Sequence, residues 1–431
     1  MHEAIIRRHL GPRVLEYATD FRVTMVNGAR QAGKTTLLNQ VREQLGGGLV
    51  TFDDSAELAA ARSDPHGYVE AAPRPFLIDE VQRAGEPLIL AIKAAVDRDP
   101  RPGSFVLSGS TRFLTIPKFS ESLAGRAALV ELWPFSVAER AGVVPDLVQQ
   151  LFANPDALLT GNASELTRHQ YMQLVCVGGF PEVTARKSPR SRAMWFSSYL
   201  TTVTQREVRE LAQIRHLDTL PRLLRLLAAV TAQELNPTEI ARGLGLSPDT
   251  VRNYLPLLET VYLVRQLPAW SRSLTAKVKR RPKLHLTDSG LAASLMNQSP
   301  DALARPGNSA AGALLETFVV NELTKLAGSC DEQVELYHYR DRDGQEVDCV
   351  LETPAGQVVG IEVKASASVE APDFRHLAMV RDKIRDQFTA GVVFYTGSRS
   401  LKFGDRLLAL PVSALWNSRP VPQLFQQASG G

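Results

Sequence analysis

The apolar positions of this chain change period along its length, and each period predicts a different kind of element. Val23–Val26, Phe76–Ile78, Ser104–Leu107 and Leu129–Leu132 are short apolar runs, as buried strands are. Leu37, Leu38 and Val41 recur at helical spacing after the first of them. Strand, helix and strand in this order predict an α/β domain with a parallel sheet over about 1–140. From about 140 the strand signals thin out and helical patterning predicts a lid or linker over 141–215, with a sharp turn at Gly178–Pro181. In Thr238–Tyr254, Ile240, Ala241 and Leu244 face Val251, Leu255 and Leu258 across a glycine-containing turn, and Ser247 caps the second helix. That is a helix-turn-helix, placed in a winged module over 216–295. The last part, about 300–431, places a helix striped by Leu315, Val319 and Leu323 before three strand-like runs, Leu336–Arg340, Glu346–Leu351 and Val358–Ile361. Turns at Asp341–Gly344 and Pro354–Gly356 separate them, predicting a small α/β domain.

Several domains are what 431 residues require, since one core does not grow to that length. With 44% hydrophobic and 22% charged residues, the composition is that of an ordinary globular protein. A net charge of +3 says nothing about nucleic acid, so local clustering must carry that argument. Cys176, Cys330 and Cys349 lie far apart, have no metal-ligand spacing and are expected as reduced thiols. No apolar run reaches membrane-spanning length, and the first residues lack the apolar stretch of a secretion signal. The expected location is the cytoplasm, with no membrane partner.

Candidate chemistry begins at Gly28-Ala-Arg30-Gln-Ala-Gly33-Lys34-Thr35, directly after the first strand run. It fits G-x-x-x-x-G-K-[ST], a loop whose backbone N–H groups wrap the phosphates of a nucleoside triphosphate. Lys34 supplies positive charge for the β and γ phosphates, and the Thr35 hydroxyl is a Mg²⁺ ligand. Arg30 and Thr36 complete the expected ATP contacts, and the helix N-terminus favours the anion. Phe76–Ile78 ends in Asp79 and Glu80. Asp79 is expected to hold the Mg²⁺ shell, and Glu80 to polarise the water that attacks the γ phosphate. Ser108 and Ser110, after the third run, are either γ-phosphate sensors or plain turn serines. Arg126 is either an arginine finger for a neighbouring subunit, which needs a homo-oligomer, or a surface charge at a helix end.

The stretches NGARQAGKTTLL, FLIDEVQRA, VLSGSTRFL, SLAGRAALVELWPFSVAE and GGFPEV occur here in one order. In that order they resemble a bacterial and archaeal family of AAA-type ATPases carrying a C-terminal domain of undefined function, DUF4143. The resemblance runs over nearly the whole chain. It implies an AAA+-like α/β core with ATP as ligand, and it implies no biological role.

Two further constellations concern nucleic acid. Thr250, Arg252 and Asn253 are expected on the exposed face of the second helix, which can enter a major groove. The segment Ser271–His285 holds Arg272, Lys277, Lys279, Arg280, Arg281 and Lys283 without one acidic residue. It reads as a basic wing seeking phosphate, so DNA or RNA is the expected partner, against a protein-docking role for the same module. In the last domain Asp348 and Glu362 stand one hairpin apart, and Lys364 shares the face of Glu362 by the strand period of two. With Glu316 from the preceding helix, these carboxylates are candidate Mg²⁺ ligands for phosphodiester cleavage. Lys364 would orient the water or stabilise the transition state. The pattern resembles the D-x(n)-E-x-K signature of restriction-endonuclease-type folds and is similar to Holliday-junction resolvases. Two functions follow as expectations: an ATPase coupled to a Mg²⁺-dependent nuclease, or a nucleotide-controlled switch whose C-terminal domains bind a partner without cutting it.

Overall fold

The computed structural model describes residues 5–112, 122–160, 163–211, 217–273 and 280–416. The chain divides into two compact units, 1–135 with 260–262, and 136–259 with 263–431.

In the first unit five strands, β1 (Val23–Gly28), β2 (Gly48–Thr51), β3 (Phe76–Asp79), β4 (Phe105–Gly109) and β5 (Ala127–Leu132), form one sheet. All pairs are parallel, in the order β2-β3-β4-β1-β5. Alternation within these strands feeds two cores. Val26, Leu77, Val106 and Val130 meet α1 (Gly11–Asp20) and α2 (Lys34–Leu45) on one face. Val23, Met25, Ile78, Phe105 and Leu107 meet Ile89, Ile92 and Val96 of α3 (Glu86–Arg98) on the other. A sheet covered on both faces explains why its strands read as continuous apolar runs. The loops that leave β1, β3 and β4 gather at the carboxyl edge of the sheet, where open α/β sheets bind ligands.

The second unit opens with helices, among them α4 (Arg168–Val177), whose end carries the Gly178–Pro181 turn. Helix α5 (Leu220–Ala229), strand β6 (Gln233–Glu234), helices α6 (Pro237–Leu244) and α7 (Pro248–Thr260), and strands β7 (Val264–Leu267) and β8 (Lys283–Leu286) follow. The three strands pair antiparallel in the order β6-β8-β7. Ile240, Ala241 and Leu244 are buried, as are Val251, Leu255 and Leu258, while Ser247 Oγ accepts from Thr250 N–H (3.1 Å) and caps α7. The segment after β7 runs on to the next sheet: Trp270 N–H donates to His338 O (2.6 Å) and His338 N–H to Pro268 O (2.9 Å).

After α8 (Ser289–Leu295), helix α9 (Ala310–Ser329) is buried over most of its circumference. It leads to β9 (Glu335–Arg340), β10 (Glu346–Glu352), β11 (Val358–Lys364), β12 (Phe388–Tyr395), β13 (Leu401–Lys402) and β14 (Leu407–Pro411). The mixed sheet has the order β13-β14-β12-β11-β10-β9, antiparallel on the β9 side and parallel between β11, β12 and β14. Helix α10 (Arg375–Ile384) packs Leu377, Val380 and Ile384 on it beside Val350, Phe388 and Val393. The fold is thus α/β, with a parallel five-stranded unit, a helical region and a mixed C-terminal sheet. Among the described residues no helix is long and apolar enough to cross a membrane.

Candidate functional site

Two clusters of polar side chains stand out, one in each unit. In the first unit β1 ends at Gly28, where a Cβ would lie 2.3 Å from Leu132 O. Glycine is required there by the backbone at the end of β5, not only by phosphate. Gly33 adopts φ +96 and caps α2. The phosphate loop thus has its left-handed residue at the turn into the helix.

Lys34 is buried and donates to Gly28 O and Ala29 O, both at 3.1 Å. Its ammonium also lies 3.7 Å from Glu80 Oε1. Thr35 Oγ1 donates to Asp79 Oδ2 at 2.6 Å, and Ser108 Oγ donates to Asp79 Oδ1. Ser108 therefore turns its hydroxyl to Asp79. Thr35 and the buried Asp79 stand together as a hydroxyl and a carboxylate must to share one Mg²⁺ shell, so these residues fit that ion. Arg30 is half-buried in the loop, and Thr36 is exposed on the first turn of α2. Glu80 has φ +55, an uncommon conformation for a side-chain-bearing residue. Gln82, which sequence reasoning passed over, donates from Nε2 to Glu80 Oε2 (2.5 Å) and to Ser110 Oγ (3.1 Å).

Arg126 is placed elsewhere. Val23 N–H donates to Arg126 O (3.2 Å), at the entry of β1 and β5, whereas the phosphate loop leaves their exit. Five strand steps separate the two, about 17 Å. Arg126 forms a two-pronged pair with Asp97 (2.5 and 2.9 Å). Arg126 therefore lies away from the phosphate loop of its own chain, which leaves the reading as a finger for a neighbouring subunit as it stood.

In the second unit the hairpin behaves as its spacing requires. Cys349 faces Ile361, and at the next step Asp348 Oδ2 accepts from Val363 N–H (2.9 Å). Lys364 Nζ lies 3.6 Å from Glu362 Oε2, on one face of β11. Glu316 of α9 joins the group. At its centre, however, stands a residue read from sequence as a wing charge. Lys283 Nζ is 2.7 Å from Glu316 Oε1, 2.5 Å from Glu346 Oε1 and 3.3 Å from Asp348 Oδ1, and its side chain is 1% exposed. Burial alone would push this ammonium down, but Asp348, Glu316 and Glu346 outweigh it and hold it above the usual lysine range. Burial and then Asp348 push the Glu316 and Glu362 carboxyls well up. Among the described residues Glu362 Oε1 has no hydrogen-bond partner, and His376 Nδ1 is 3.8 Å from it.

Glu316 and Asp348 thus share the Lys283 ammonium, while Glu362 lies beside Lys364 and His376. Among the described residues no three His, Cys, Asp or Glu side chains are grouped as a metal site. Of the basic segment, Lys283 is inside the protein, Arg280 is half-buried and donates to Arg340 O (2.7 Å), and Arg272 and Arg281 are exposed. Lys277 and Lys279 lie outside the described residues. Thr250 is half-buried, and Arg252 and Asn253 are exposed on α7, with Arg252 paired to Asp249 (2.5 Å). The signal for Lys283 was its strand: Leu284 and Leu286 alternate with Lys283 and His285, and a strand buried on both faces demands acidic partners for a lysine.

Residues 20–141 match the AAA domain family, residues 168–302 a domain of unknown function, DUF8612, and residues 311–415 another, DUF4143. An uncharacterized protein of Mycobacterium tuberculosis is 28% identical over 404 residues, covering 94% of this chain and 83% of the relative. An uncharacterized protein of Haemophilus influenzae is 22% identical over 395 residues, covering 86% and 90%. Among solved structures, a Walker-type ATPase of Pyrococcus abyssi aligns with TM-score 0.41 at 17% identity, covering 68% of this chain and 97% of that one. The RuvB Holliday junction branch migration motor of Thermotoga maritima aligns with TM-score 0.30 at 18% identity, covering 61% and 90%.

Proposed function

We propose that this chain, an AAA domain followed by DUF8612 and DUF4143 modules, is an ATP-hydrolysing switch that docks on nucleic acid without cutting it. The observation that carries the ATPase part is the convergence of Lys34, Thr35, Asp79 and Glu80 at the carboxyl edge of the parallel sheet. Lys34 would leave the loop carbonyls for the phosphates, and Thr35 with Asp79 would hold Mg²⁺. When bound with ATP, that ion neutralises charge on the β and γ oxygens. Glu80 would take the proton of the attacking water.

The docking part rests on the second unit. The order α5, β6, α6, α7, β7, β8 reads as a winged helix, and the face of α7 that carries Thr250, Arg252 and Asn253 is turned outward. That face suits a major groove. Non-cleavage rests on Lys283, which pairs with Glu316, Glu346 and Asp348 from within.

The test combines ATP turnover with anisotropy and gel assays on a labelled duplex, in Mg²⁺ and in Mn²⁺. Wild type is expected to hydrolyse ATP and Lys34→Ala to bind none. Duplex binding should weaken with salt and with paired Arg252→Ala and Asn253→Ala substitutions, and no product should form. Metal-dependent cleavage lost in Asp348→Ala would restore the nuclease reading. Absence of duplex binding would overturn the docking part in favour of a protein partner.

A further inference from the structure

The residue that sets the geometry of Glu80 is Gln82, and the argument starts from what each atom can do. A carboxylate only accepts hydrogen bonds, so the carboxamide must present nitrogen to Glu80 Oε2, as it does at 2.5 Å. The same nitrogen reaches Ser110 Oγ at 3.1 Å, which leaves Gln82 Oε1 buried without a partner among the described residues. An orphaned amide oxygen is costly, and the two donor contacts are what hold it there. The backbone cooperates: Glu80 is held at φ +55, and Arg83 N–H donates to Glu80 O (3.0 Å), closing the short turn Val81–Ala84. Space cooperates too, since a Cβ on Gly109 would lie 2.9 Å from Gln82 Oε1. With Oε2 engaged by Gln82, the other oxygen, Oε1, is the one on the Lys34 side at 3.7 Å.

We propose that Gln82 is a positioning residue for ATP hydrolysis, holding Glu80 Oε2 so that Oε1 faces the γ phosphate and its attacking water. This rests on the ATPase reading above. In the step concerned, the water oxygen forms the new bond to the γ phosphorus, and the bond to the β–γ bridging oxygen breaks with its electron pair leaving on ADP. The water proton passes to Glu80 Oε1. Gln82 touches none of the reacting atoms. Ser110, by accepting the second amide hydrogen, extends the same clamp to the end of β4.

The experiment is steady-state ATP turnover with separate nucleotide affinity for wild type, Gln82→Ala, Gln82→Glu, Ser110→Ala, Glu80→Gln and the double variant Glu80→Gln with Gln82→Ala. Gln82→Ala is expected to lower kcat by about tenfold or more while ATP affinity changes by less than about threefold. Gln82→Glu, of the same shape but with no hydrogen to donate at neutral pH, should lose as much, and Ser110→Ala less. In the Glu80→Gln background Gln82→Ala should change nothing further, because the residue acts only through Glu80. Retained affinity shows that each variant is folded. An undiminished kcat in Gln82→Ala, an additive loss in the double variant, or a parallel loss of nucleotide binding would each overturn the inference while leaving the ATPase reading intact. A wild type without turnover would overturn both.

Discussion

At the scale of single residues, the second unit is governed by one lysine. Lys283, its side chain 1% exposed, pairs with three carboxylates, and removing it leaves those carboxylates without their shared cation. Lys283→Ala is expected to cost about 3–5 kcal/mol by chemical denaturation. It should also create an affinity that wild type lacks, so Mn²⁺ should raise the melting temperature of the variant and leave wild type unchanged. A wild type stabilised by Mn²⁺ would show that the ammonium is no substitute for a metal. His338 supplies a second prediction. Burial pushes it down to about 4 from 6.5, and its Nε2 faces Arg281 O at 3.0 Å. The unfolded chain binds this proton first on acidification, so the stabilisation is complete above pH about 6.5 and is lost as pH falls through about 4. Glu316 and Glu362 act in the opposite sense, because their native carboxyls hold protons at higher pH than the unfolded chain does. His338→Gln keeps a donor for Arg281 O and removes the titration. Its melting temperature should fall less steeply than that of wild type between pH 6.5 and 4, and equal slopes would refute the assignment. Asp348, Glu362 and Lys364 were legible in the sequence because strand period and hairpin length place them, and Glu316 as a helical candidate before them; Glu346 was not singled out. Lys283 was not, because its cluster joins three elements far apart in the chain.

At the scale of elements, the Gly178–Pro181 turn shows how a loop motif is a packing joint. Gly178 has φ +67, and a Cβ there would lie 2.2 Å from Asp288 Oδ1. Asp288 in turn accepts from Gly179 N–H (2.7 Å) and Leu291 N–H (2.9 Å), capping α8 while it ties the end of α4 to it. From the other side, a Cβ on Gly290 would lie 2.6 Å from Val177 O. Both conformation and space are closed, so Gly178→Ala is expected to destabilise by more than about 2 kcal/mol. Gly312 in α9 is the contrast, with nothing within 4 Å of a Cβ and no left-handed backbone. Gly312→Ala should stabilise by about 0.5–1 kcal/mol, read from denaturant midpoints beside the first variant. A mild effect of Gly178→Ala would mean that the joint yields. Sequence marked a sharp turn there, and Asp288 as its partner came only from the fold.

At the scale of the whole molecule, two units each own a core, and the nucleotide loop belongs to the first. Scanning calorimetry with Mg²⁺ and ATP should therefore raise one transition and leave another in place. At a hundredfold excess over Kd the shift corresponds to about 2.7 kcal/mol, and Lys34→Ala should abolish it. A single transition moving as one would refute separate units. The chain enters the first unit twice, since Thr260–Tyr262 belong to it: Thr260 O accepts from Arg112 N–H (2.9 Å) and the Tyr262 ring meets Trp133 at 5.4 Å. Nothing in the local pattern of those three residues announces that.

The sequence by itself determined what is local or periodic: the parallel strands with their phosphate loop, the helix pair of Pro237–Thr260, and the hairpin that sets Asp348 beside Glu362. Each follows from spacing along one or two elements, where geometry is fixed by the backbone period. The tertiary structure alone decided which charges neutralise which. It put Lys283 among the carboxylates, Arg126 at the entry edge of its sheet and Gln82 on Glu80. The strength of a buried charge depends on everything that surrounds it in space, and the order of residues does not record those surroundings.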